Sequence, residues 1–136
     1  MPAETSVRSP GVVLDASALL AYLQRERGHE AVEPVLENSA LSAVNLSEVL
    51  QKAMAAGVST DGLDADLEAV GVRVYAFDAE DAARSAELWA STRKLGLSLG
   101  DRACLTLAKR LHAPAYTADR AWAEVKVPGV TVKTVR

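Results

Sequence analysis

An α/β domain with a short, mostly parallel central sheet flanked by helices is the fold class this sequence predicts, and three observations predict it. Short β-branched or alternating apolar runs recur at 12–14, 40–42, 72–77, 115–117 and 130–132. Between them the leucines and valines fall at helical spacing. Glycines and capping residues stand at the junctions, so each apolar period has a place to change. Strands that alternate with helices pair in parallel more often than not.

Val12, Val13 and Leu14 make the first strand, and Leu19, Leu20 and Leu23 place a helix over 16–25. Gly28 breaks that pattern, a short helix over 29–37 follows, and 40–42 is the second strand. Val44, Val49, Leu50 and Met54 mark the inward stripe of a helix over 43–55, which Gly57 ends. Ser59 or Thr60 starts the next helix, with Leu63, Leu67 and Val70 inward as far as Gly71. Residues 72–77 alternate like a half-buried strand, and Asp78 caps a long helix to about residue 93. A loop over 94–100 leads to a helix over 101–111 that turns Cys104, Leu107, Ala108 and Leu111 inward. A strand at 115–117, a helical turn at 119–124 and a last strand at 130–132 complete the series. No repeat or low-complexity tract interrupts it, so residues 11–136 read as one domain and residues 1–10 as a flexible polar tail.

Composition narrows the function classes. With 49% hydrophobic and 24% charged residues among 136, the chain has the profile of one soluble core and not of disorder. A net charge of -3 argues against gripping a polyanion across a whole face, although bound metal ions can reverse the sign locally. Two Trp, three Tyr and one Phe are too few for a broad base-stacking platform, and Trp122 is expected in the core. Cys104 is the only cysteine, and His29 and His112 lie far apart, outside any zinc spacing. A reducing, cytoplasmic setting is expected. The apolar runs are too short to cross a bilayer, so no membrane partner is expected.

The chemistry-bearing residues are acids. Asp15 directly follows the first strand and Asp119 follows Thr117 at the end of a later one, so both can face the crevice at the strands' carboxyl ends. Glu48 lies early in its helix and Asp101 opens another, and if those helix starts aim at the same crevice, four carboxylates converge. Oxygen ligands in that number select hard divalent cations, Mg2+ or Mn2+, and suit phosphodiester hydrolysis. The chain has no Gly-x-Ser-x-Gly elbow, no Walker-A loop and no Gly-x-Gly-x-x-Gly to suggest other chemistry.

Each acid also has a purely local reading. Asp15 and Asp119 can cap the helical segments that follow them, and Ser98-Leu99-Gly100-Asp101 matches a capping box. Glu48 can pair with Lys52 one turn on, worth roughly a few tenths of a kcal/mol. Against coincidence stands position: these acids recur at strand ends and helix starts, whereas Glu33, Glu37, Asp64, Glu68 and Glu87 do not.

Four segments, Val12-Val-Leu-Asp-Ala-Ser-Ala-Leu-Leu20, Ser42-Ala-Val-Asn-Leu-Ser-Glu-Val-Leu50, Leu97-Ser-Leu-Gly-Asp-Arg-Ala-Cys-Leu105 and Tyr116-Thr-Ala-Asp-Arg-Ala-Trp122, together resemble the PIN-domain family. The chain looks most like that family's VapC toxins, from about residue 11 to the end, in family order and spacing. The resemblance implies a PIN-like fold and a Mg2+- or Mn2+-dependent endoribonuclease that cleaves structured RNA, tRNA or rRNA, and leaves a 5'-phosphate. It implies Asp15, Glu48, Asp101 and Asp119 as acidic ligands, with Thr117 supporting them. Ser17, Asn45 and Arg102 match weaker family positions, and Arg102 and Arg120, beside the acids, are candidate contacts to RNA phosphates. A VapB-type antitoxin that covers the site, and a homodimer, are implied as well. Two other readings stay open: a PIN nuclease of RNA processing or decay without a toxin role, and a non-catalytic binding module that keeps the acids for structure.

Overall fold

The computed structural model describes residues 9–136. Strands and helices alternate as β1 (Val12–Leu14), α1 (Ala16–Leu23), α2 (His29–Val32), β2 (Ser39–Ser42), α3 (Ala43–Ala55), α4 (Leu63–Ala69) and β3 (Val72–Tyr75). The second half adds α5 (Ala79–Glu87), α6 (Trp89–Thr92), α7 (Leu99–Leu111), β4 (Ala115–Thr117) and β5 (Val132–Thr134). Short 3-10 segments occupy Glu33–Val35, Arg93–Leu95 and Arg120–Glu124.

Among the described residues the five strands form one sheet in the order β3-β2-β1-β4-β5, and every neighbouring pair is parallel. The chain builds outward from β1 on one side and then crosses back to build on the other. β1 and β4 therefore flank the point where strand order reverses, which in an open parallel sheet leaves a crevice at the carboxyl ends. Asp15 follows β1 directly and Asp119 lies just beyond β4, so both open onto that crevice.

Alternation along β1 divides the core. Val12 and Leu14 pack with Leu19, Leu20, Val32, Leu41, Val49 and Leu67 on one face. Val13 packs with Ala40, Ala115, Cys104, Leu105 and Trp122 on the other. A strand covered on both faces has no solvated side, which is why β1 reads as a continuous apolar run. Trp122 is fully buried as expected, and truncating such a ring costs about 3–5 kcal/mol.

α7 is held against α5 by polar contacts. Arg110 Nη1 donates to both carboxylate oxygens of the buried Asp81, at 2.9 and 3.2 Å, and the hydroxyls of Ser85 and Thr106 meet at 2.8 Å. These contacts fix the helix whose first turn carries Asp101.

Several boundaries differ from expectation. The helix expected from 79 to 93 ends at Glu87, and a separate turn follows in which Thr92 Oγ1 bonds back to the Leu88 carbonyl at 2.7 Å. β3 stops at Tyr75 instead of residue 77, and the last strand lies at Val132–Thr134 instead of 130–132. Pairing decides the latter: Ala115 faces Val132 and Thr117 faces Thr134, while Val130 closes a turn onto the Val127 carbonyl. Met54 and Val70, expected inward, are 61% and 42% exposed: Met54 lies in the last turn of α3 and Val70 is the C-cap of α4, where each helix runs out. Of the tail expected over 1–10, residues 1–8 lie outside the described residues. Ser9 and Pro10 are docked: Asn38 Nδ2 donates to the Ser9 carbonyl at 2.8 Å, and Pro10 is buried. Among the described residues, no helix is long and apolar enough to cross a membrane.

Candidate active site

Asp15 is the N-cap of α1 and almost wholly buried, at 3% exposure. Its Oδ1 accepts the Ala18 N–H and the Ser17 hydroxyl, both at 2.8 Å, and its Oδ2 accepts the Thr117 hydroxyl at 2.6 Å. Both hydroxyl protons are thereby committed to one carboxylate. The oxygens that remain act as acceptors: Ser17 Oγ takes the Ala118 N–H at 2.9 Å and Thr117 Oγ1 takes the Asp119 N–H at 3.0 Å. Two hydroxyls thus stitch the end of β1 to the end of β4, side chain to backbone.

The other acids are anchored by one oxygen each. Asp119 caps the 3-10 segment, its Oδ1 accepting the Ala121 N–H at 2.9 Å. Asp101 completes a capping box with Ser98 at the start of α7, and its Oδ2 accepts the Ser98 N–H at 2.9 Å. Glu48, on α3, is held not by Lys52 but by Asn45, whose Nδ2 donates to Oε1 at 2.8 Å and to the Gly100 carbonyl at 3.0 Å. The local readings of Asp15, Asp101 and Asp119 as caps are therefore correct, and they do not compete with a shared site. Capping is what fixes where each carboxylate stands.

All four acids line one crevice of about 310 Å3, together with Ser17. A larger groove of about 590 Å3 lies between α5 and α7, but its buried acid, Asp81, is already taken up by Arg110. The crevice is where unneutralised charge accumulates. Burial pushes the Asp15 carboxyl up from 3.8 to about 6, against the hydrogen bonds from Thr117, Ala18 and Ser17, and the charge of Asp101 adds to the rise. Asp101 is raised in the same way, by burial first, against its bonds to Ser98, and with Asp119 adding its charge. The Cys104 thiol beneath is pushed up by burial and by Asp15, Asp101 and Glu48, so it is no nucleophile.

Among the described residues no three carboxylates stand together as a ready-made metal cage. Yet Glu48, Asp101 and Asp119 each leave one carboxylate oxygen without a hydrogen bond. An all-oxygen donor set with excess negative charge suits a hard divalent cation, and a cation would relieve the repulsion that raises Asp15 and Asp101.

A family model for the PIN domain matches residues 12–128, most of the chain. The chain belongs to the PIN domain family. PIN domains are generally nucleases, and such nucleases usually use divalent metals. No curated protein matches this PIN domain in sequence. Among solved structures it is similar to a toxin-antitoxin complex from Klebsiella pneumoniae, at 21% identity and TM-score 0.70, over 92% of this chain and 98% of that one. It is also similar to VapBC-5, a member of the VapBC family of toxin-antitoxin systems from Mycobacterium tuberculosis, at 25% identity and TM-score 0.61, over 92% and 99%. DNA-bound VapBC from Salmonella typhimurium matches at 15% identity and TM-score 0.70, over 93% and 99%.

The basic residues of this PIN domain fall differently from the sequence reading. Arg102 does not line the crevice: its Nη1 donates to the Ser85 carbonyl at 3.0 Å, tying α7 to α5, and its Nε is buried without a partner. Arg120 is exposed beside Asp119 but outside the crevice lining. Lys52 and Arg136 line it instead. Lys52 was legible only as a neighbour of Glu48 one turn away. Arg136 carried no sequence signal, because its place depends on β5 and on its bonds to the Arg27 carbonyl at 2.8 Å and to Glu26 at 3.2 Å.

Proposed function

We propose that this PIN domain is a Mg2+- or Mn2+-dependent endoribonuclease and the toxin of a VapBC-type pair, cleaving structured RNA of the tRNA or rRNA class. The observation that carries the reading is the meeting of Asp15, Glu48, Asp101 and Asp119, from four separate elements, in one crevice at the carboxyl ends of β1 and β4. The VapBC neighbours support the toxin reading and a VapB-type antitoxin as partner, and an antitoxin segment that covers the crevice belongs to the same proposal. A homodimer in the cytoplasm belongs to the same reading.

Glu48, Asp101 and Asp119 would hold the cation through the carboxylate oxygens that their own hydrogen bonds leave over, with Asp15, both of whose oxygens already accept hydrogen bonds, adding its charge beside them. A divalent ion there supplies neutralisation of the scissile phosphate and acidification of water. The chain's own residues do the rest by position. Thr117 and Ser17 fix both oxygens of Asp15, Asn45 orients Glu48, and Ser98 orients Asp101. Lys52 and Arg136 at the rim, with Arg120 exposed nearby, offer positive charge to the flanking phosphates.

The test is incubation of a tRNA and rRNA pool with purified protein in Mg2+, Mn2+ or EDTA, beside Asp15→Asn. Cuts at a few positions, with 5'-phosphate ends, lost in EDTA and in the variant, are expected. Uncut RNA with the metal-loaded wild type would overturn the nuclease reading and favour a binding module. Cutting without growth arrest on expression would leave a nuclease of RNA processing or decay.

A further inference from the structure

Gly100 occupies the first turn of α7, where glycine is a poor helix former, and its backbone does not lie in the left-handed region that would require it. The reason for glycine is space. A Cβ at this position would lie 2.5 Å from Glu48 Oε1 and 2.6 Å from Glu48 Cδ, and would also overlap Oε2. The Glu48 carboxylate therefore rests against the bare Cα of Gly100.

Asn45 closes the arrangement from the other side. It is 1% exposed, and its amide nitrogen bridges Glu48 Oε1 and the Gly100 carbonyl. Both partners are acceptors, so the atom that faces them must be the NH2 group, and the side-chain orientation is fixed by chemistry. The amide oxygen is left buried without a partner. An unpaired buried acceptor is uncommon in a native structure, and a functional task for the rest of the group is one of the reasons for it.

We propose that Gly100 and Asn45 are positioning residues of the metal site: the missing side chain at Gly100 is the seat of the Glu48 carboxylate, and the Asn45 amide locks it there. This rests on the metal-dependent reading above. It assigns to Gly100 a role in ion affinity, where the sequence shows only an interior position of a capping box. The atoms that an added Cβ would meet are the far end of a flexible side chain and not backbone. Gly100→Ala should therefore leave α7 intact, favour its helical state, and expel the Glu48 carboxylate from its seat.

The experiment is Mn2+ binding to the purified full chain, read from the paramagnetic resonance signal of free Mn2+, with the metal-free melting temperature of each variant beside it. Gly100→Ala is expected to weaken Mn2+ binding by about tenfold or more, the range for groups that orient metal ligands. Its metal-free melting temperature should be unchanged or higher. In a Glu48→Ala background, where there is no carboxylate to displace, Gly100→Ala should change Mn2+ affinity by less than about twofold. Asn45→Ala serves as the second variant, weakening Mn2+ only while Glu48 is present. Wild-type affinity in Gly100→Ala, or equal weakening with and without Glu48, would overturn the proposal while leaving the metal site standing. A wild type that binds no Mn2+ would overturn both.

Discussion

Thr117 gives its hydroxyl proton to Asp15 Oδ2 at 2.6 Å and takes the Asp119 N–H at 3.0 Å, so one side chain joins two acids more than a hundred residues apart in sequence. It is fully buried, and so is most of Asp15. In that setting an unsatisfied partner cannot turn to water, and the donor and acceptor roles of the hydroxyl are both needed.

Thr117→Val should therefore cost about 1.5–3 kcal/mol in chemical unfolding, since it removes a hydrogen bond to a carboxylate and strands the Asp119 N–H. RNA cleavage should fall with it, because Asp15 and Asp119 lose their common reference. Thr117→Ser keeps both bonds and should retain most of the stability. A valine variant as stable and active as wild type would show that the hydroxyl is incidental.

Asp15 makes stability depend on pH in a direction opposite to that of a salt-bridged acid. Its folded carboxyl titrates at about 6 against 3.8 ordinarily, so between those values the fold holds a proton that the unfolded chain has released. The contribution of Asp15 to the stability of the metal-free protein should be fully present below about pH 4 and should be lost as pH rises through about 6, by on the order of 3 kcal/mol. Asp15→Asn removes the charge. The variant should melt above wild type at pH 7.5 without metal, with the gap closing toward pH 4, while losing cleavage. A gap that does not change between pH 4 and 7.5 would show that burial does not perturb Asp15.

Divalent ions should act in the opposite sense to that repulsion. Mn2+ at a hundred times its Kd stabilises a protein that binds it only when folded by about 2.7 kcal/mol. The rise in melting temperature should be smaller in Asp101→Asn, which removes a proposed ligand and the charge that adds to the rise of Asp15. Equal shifts in the two proteins would place the ion elsewhere.

What the sequence made legible were features whose cause is local. β1 and α3 appear within their expected bounds, the first as a β-branched run and the second as an apolar stripe closed by glycine. Asp15, Asp101 and Asp119 were legible as candidates because each stands where a strand ends or a helical segment begins, and capping pins it there, whereas Glu48, early in α3, is held by Asn45. The unread features have causes elsewhere in the chain. The last strand is displaced by the register of β4, which no property of Val130 or Val132 encodes. Gly100 looks like a weak point of a helix until Glu48 is seen lying on it. Arg102 neighbours Asp101 in sequence, yet the packing of α7 on α5 carries its guanidinium to Ser85.

That last displacement separates two kinds of basic residue, and RNA binding should tell them apart. Measured on the Asp15→Asn background, so that substrate survives, Lys52→Gln should weaken RNA binding at all sequences alike and reduce the salt dependence by roughly one phosphate contact. Arg136→Gln should do the same, with an added loss from its bonds to Glu26 and the Arg27 carbonyl. Arg102→Gln removes the bond to the Ser85 carbonyl and should lower stability by about 1 kcal/mol. It should leave the salt slope where it was, because a guanidinium spent on a helix carbonyl releases no counterions from RNA. The reverse pattern, a slope altered by Arg102 and untouched by Lys52, would mean that RNA approaches along α7 and not across the acidic crevice, and the assignment of rim charges would have to be exchanged.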